Sequence, residues 1–111
     1  MEQRRSRRFT LQLPVCVTRN GTERIMQSGQ TKNISSGGVL FTTAKSPDVG
    51  ASIEYVITLG GSPEHSVGLR CIGKVLRANP SPSGESVYDI AATLERYEFV
   101  RSDAHAARSS S

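Results

Sequence analysis

The chain has 111 residues, of which 36% are apolar, with no tryptophan and a formal net charge of +4. That length supports one small core and not two, and no apolar run approaches the roughly 18 residues of a transmembrane helix. The charged start, Met1-Glu2-Gln3-Arg4-Arg5, is not followed by the apolar stretch of a signal peptide, so a cytoplasmic location is expected.

Residues 1–9 carry no apolar period and are expected to form a flexible arm. Arg4, Arg5, Arg7 and Arg8 are four of eleven arginines in a chain with only three lysines. Arginine grips phosphate or the guanine edge with a planar fork, which lysine cannot do. The expected partner is therefore an anion.

From Thr10 to Thr18 the pattern alternates, with Leu11, Leu13, Val15 and Val17 on one face, and Pro14 on the other suits an edge or a bulge. Asn20-Gly21 signals a tight hairpin. A polar strand returns from about Thr22 to Lys32 and leads into Asn33-Ile34-Ser35-Ser36-Gly37-Gly38. Asn33 offers both donor and acceptor, Ser35 and Ser36 add hydroxyls, and Gly37 and Gly38 allow a ligand to approach the backbone. The same residues would also serve as a plain strand connection.

Further strands are expected at Val39–Thr43, Ser52–Leu59, Val67–Ala78 and Val87–Leu94. Between them lie turn signals at Pro47 and Gly50, at Gly60-Gly61-Ser62-Pro63, and at Asn79-Pro80-Ser81-Pro82-Ser83-Gly84. Gly73 is expected to mark a bulge or bend. Glu95–Arg101 is expected to form a short helix or final cap, and residues 102–111 a disordered tail. The whole reads as an all-β antiparallel barrel or sandwich.

Nothing in the pattern suggests catalysis or a metal. His65 lies in a polar turn, His105 in the tail, and the carboxylates are scattered; no P-loop or GxSxG occurs. Cys16 and Cys71 form no CxxC and are expected to be buried free thiols.

Two motifs point further. Arg4 and Arg8 make an RxxxR, and Asn33, Ser35 and Gly38 fit (D/N)xSxxG about 25 residues downstream. In that order, within a small β-rich chain, the pair resembles the PilZ domain family. Leu13-Pro14-Val15, Gly73-Lys74-Val75 and Tyr88-Asp89-Ile90-Ala91 extend the resemblance over roughly residues 4–100. The resemblance implies a six-stranded antiparallel β-barrel over residues 10–101 that binds cyclic di-GMP, with no cofactor and no enzymatic activity. By carry-over, Arg4 and Arg8 would grip guanine and phosphate, Arg5 standing in should the register differ. Asn33, Ser35, Gly37 and Gly38 would line the pocket, and Arg77 would supply stacking where relatives carry an aromatic. The chain would then act as a stand-alone adaptor signalling to a downstream protein. The alternatives are a PilZ-like interaction module that binds no nucleotide, or a small basic barrel holding nucleic acid through its arm. The shortage of aromatics for base stacking argues against nucleic acid.

Overall fold

The computed structural model describes residues 12–61, 65–82 and 87–103. Seven antiparallel strands make up the fold: β1 (Pro14–Asn20), β2 (Glu23–Ser35), β3 (Gly38–Thr43), β4 (Ser52–Gly61), β5 (His65–Pro80), β6 (Tyr88–Thr93) and β7 (Arg96–Asp103). Their order is β4-β1-β2-β3-β6-β5-β7, and β4 also pairs with β5, so six strands close a circuit and β7 is appended to β5. No helix among the described residues is long and apolar enough to cross a membrane.

Alternation decides what the circuit encloses. Val15 and Val17, Val39 and Phe41, Ile53, Tyr55 and Ile57, Cys71 and Val75, and Ile90 and Ala92 are all buried. They project from one face of their strands, as period-two patterning requires. Phe41 and Tyr55 pack with ring centroids 5.4 Å apart, within the range of favourable aromatic pairs. The Tyr55 hydroxyl donates to the Thr93 carbonyl at 2.9 Å. Burial first, then Cys71 and Glu95, push that phenol above the usual tyrosine range.

Two expectations are corrected. The described residues form seven strands rather than six, and Glu95–Arg101 contributes a strand instead of a short helix. The physical reason is a vacant edge. The first half of β5 pairs with β4 on one side, and β7 fills the other from Ile72↔Arg96 to His65↔Asp103. Tyr97, Phe99 and Val100 are β-prone residues suited to that role. Pairing through Asp103 also carries the sheet two residues into the stretch assigned to the tail. The hairpin after β1 is present, but Asn20 pairs with Glu23, so its two central residues are Gly21 (φ 65°) and Thr22. The predicted arm and most of the predicted tail lie outside the described residues.

Both cysteines are free; Cys71 is buried and Cys16 half-buried. Burial pushes the Cys71 thiol up to about 12. Between the ordinary thiol range and that value, the unfolded chain gives up a proton that the folded chain keeps, so stability falls as pH rises. Unfolding free energies from urea denaturation should therefore decline from pH 8.5 to 10, with a slope of at most about 1.4 kcal/mol per pH unit. Cys71→Ala should flatten the first part of that decline, leaving the steeper loss above pH 10 that Tyr55 contributes.

Candidate functional site

Bulges place the site. In β2 the pairing with β3 passes from Thr31↔Phe41 to Asn33↔Leu40, leaving Lys32 as an extra residue. In β5 the pairing with β6 passes from Val75↔Ala92 to Arg77↔Ala91, leaving Leu76 extra. An inserted residue reverses the facing of everything beyond it. Thr31 and Val75 are buried, and without the bulges Asn33 and Arg77, two residues further on, would also face the core. With them, both residues face outward.

The result is a row across four strands: Asn33 on β2, Leu40 on β3, Ala91 on β6 and Arg77 on β5. It spans roughly 14 Å at the usual strand spacing. Ala91, with its single methyl, is the low point between the Asn33 and Arg77 ends. A hollow of about 440 Å³ opens over this row, lined also by Ser35, Gly37, Gly38 and the half-exposed Leu76.

The motif thought to be a loop is largely strand. Ser35 pairs with Gly38, and only Ser36 and Gly37 form the turn. The Ser35 hydroxyl donates to the Gly38 carbonyl at 3.3 Å, and the Leu94 N–H donates to the Gly37 carbonyl at 3.1 Å. These bonds hold the turn against the end of β6. Gly38 has no positive φ, so its role is space: a Cβ there would lie 2.8 Å from the Ala92 carbonyl oxygen.

Charge beside the hollow comes from Arg77, exposed on its rim, and from Lys32. The Lys32 ammonium meets Asp89 Oδ2 at 3.3 Å. The described chain enters close by: Leu13 N–H donates to the Thr31 hydroxyl and Thr31 N–H to the Leu13 carbonyl, each at 2.9 Å. Thr31 is two residues from Asn33 along β2.

Of the residues singled out from the sequence, Asn33, Ser35, Gly37, Gly38 and Arg77 are brought together around one hollow. Arg4, Arg5 and Arg8 lie outside the described residues. Leu40, Lys32 and Asp89 were missed as neighbours of the site, because strand register decides their position and leaves no mark in composition. No group of three or more His, Cys, Asp or Glu among the described residues could hold a metal ion.

Comparison with known proteins agrees with this architecture. The PilZ domain family profile matches residues 2–105. The chain belongs to the PilZ domain family. No curated protein matches it. Among solved structures, the Bacillus subtilis inhibitor of motility MotI/DgrA is similar, with a TM-score of 0.65 at 22% identity. The match covers 98% of this chain and 48% of that one, so this chain spans about half the length of that protein. At that identity the likeness shows the fold.

Proposed function

We propose that this chain is a cyclic di-GMP receptor: an adaptor whose circuit of strands is a PilZ-type barrel and whose outward hollow takes the ligand. The observation that carries this reading is the pair of bulges that turn Asn33 and Arg77 to opposite ends of one trough. Asn33 can hydrogen-bond a base, and Arg77 can stack on a guanine or fork onto O6/N7 or phosphate. The Arg4–Arg8 segment supplies the second grip. Arg8 lies five residue steps before Leu13, a reach of at most roughly 17 Å, and Leu13 is fastened beside the trough. Binding would draw the arm onto the barrel and present a changed surface to a downstream protein in the cytoplasm.

A second reading has its own observation. Tyr97 and Phe99 are 61% and 68% exposed on β7, in edge contact at 6.5 Å. An exposed aromatic pair suits a protein contact, as in an interaction module that binds no nucleotide.

Titration calorimetry with cyclic di-GMP, with GTP as control, separates the two. The receptor should bind at micromolar strength or better, about −8 kcal/mol. Arg8→Ala should weaken binding by about 100-fold, the scale of a lost charge-assisted fork. Absence of heat with the parent chain would transfer the argument to the interaction module.

A further inference from the structure

Beside the main hollow lies a smaller one of about 260 Å³, and the two share Leu40, Arg77 and Ala91. Asp89 lines the smaller one. It stands two residues before Ala91 on β6, paired with Thr42 and Asn79, and so projects from the same outward face. Its two oxygens are treated unequally. Oδ2 is held by Lys32, whereas Oδ1 is buried without a hydrogen-bond partner, the one such side-chain atom among the described residues. A buried acceptor left unmatched is unfavourable and calls for an explanation. Among the described residues Asp89 is the one carboxylate in the lining of the smaller hollow, and the acceptor capacity of Oδ1 is unused, so a ligand that displaces what covers this oxygen can bring it a donor.

Resting on the receptor reading, we infer that Asp89 is a base-specificity determinant that accepts the N–H groups of a guanine seated in the smaller hollow. Guanine presents acceptors, O6 and N7, on one edge and donors, N1–H and the 2-amino group, on another. Arginine satisfies the first edge. A carboxylate accepts and cannot donate, so it fits only the second. Adenine places an acceptor at N1 and lacks the 2-amino group, so it would set lone pairs against Oδ1. Lys32, displaced outward by its bulge, fixes the carboxylate so that Oδ1 stays turned away from the ammonium. Arg77, shared by both hollows, stands at the junction where a ligand with two bases would pass from one to the other.

The test compares the full chain with Asp89→Ala by calorimetry against cyclic di-GMP, cyclic di-AMP and the inosine analogue cyclic di-IMP, which keeps N1–H but lacks the 2-amino group. The parent chain should prefer cyclic di-GMP over cyclic di-IMP by about tenfold. Asp89→Ala should bind cyclic di-GMP roughly 10- to 30-fold more weakly and treat cyclic di-GMP and cyclic di-IMP alike within about twofold. Asp89→Asn, which keeps the size of the side chain, carries the same comparison should Asp89→Ala fail to fold. If the parent chain binds and the variant keeps its affinity and its guanine preference, this inference is overturned and the receptor reading stands. Equal tightening toward all three ligands would also overturn it, by showing that Asp89 competes for an arginine of the arm. No binding of any cyclic dinucleotide by the parent chain would remove both readings together.

Discussion

Gly73→Ala is expected to destabilise the fold by about 4 kcal/mol, combining overpacking with a broken buried hydrogen bond. Gly73 lies where β5 leaves β4, with which it pairs as far as Lys74, and takes up β6 from Val75 onward. At that crossing a Cβ would sit 1.8 Å from the Thr93 carbonyl oxygen, an overlap that only backbone movement relieves. The same carbonyl receives the Tyr55 hydroxyl, and the Thr93 hydroxyl receives the Lys74 N–H at 2.8 Å. Displacing Thr93 therefore strips the most buried phenol of its acceptor as well as opening the strand junction. Tyr55→Phe removes the hydrogen bond alone and should cost about 1 kcal/mol, so the difference between the two variants isolates the steric part. Urea denaturation of both is the measurement; a Gly73→Ala midpoint close to that of Tyr55→Phe would refute the crossing argument.

That crossing also shows how far the sequence could be read. Alternation in Val15/Val17 and in Ile53/Tyr55/Ile57 gives the inward faces, whereas Leu59, next in the same phase, is exposed beside the register shift between Thr58 and Gly60. Gly73 was recognisable as a place of backbone constraint. The bulge itself is three residues away at Leu76, where nothing in the residue type announces it. Lys32 is equally silent. A one-residue insertion changes which side chains face out without altering composition or local propensity, so Arg77 could be associated with the site only through family resemblance. The Asn33–Gly38 motif is legible as a break in the apolar pattern, but its backbone is not: Asn and Ser favour turns, yet pairing with β3 keeps Asn33 and Ser35 in strand geometry. Over Glu95–Arg101 the sequence reads as having lost the alternation, and the aromatic side of β7, Tyr97 and Phe99, is indeed largely exposed and contributes no core. Arg96 and Glu98 face the opposite way, and Glu98 pairs with Arg70.

Ala91→Leu is expected to abolish ligand binding, a loss of at least about 100-fold, with the fold intact. Ala91 is the low point of the row from Asn33 to Arg77, and its neighbours Ile90 and Ala92 face the core while it faces out. Leucine there would occupy the trough without entering the core, so stability should change by roughly 0.5 kcal/mol or less, as for an ordinary surface substitution. The variant separates two modes of binding that the arm alone cannot. If cyclic di-GMP is gripped by the arginine segment and the trough together, Arg8→Ala and Ala91→Leu should each weaken binding by about 100-fold or more. If the arm merely attracts phosphates, as a basic nucleic-acid tether would, Arg8→Ala should weaken binding and Ala91→Leu should leave it unchanged, with steep salt dependence in both cases. A folded Ala91→Leu protein that binds cyclic di-GMP like its parent would therefore detach the ligand from the trough, and with it the roles given to Asn33 and Arg77. A silent Ala91→Leu titration beside an unaltered melting curve would instead locate recognition in the shape that the two bulges create.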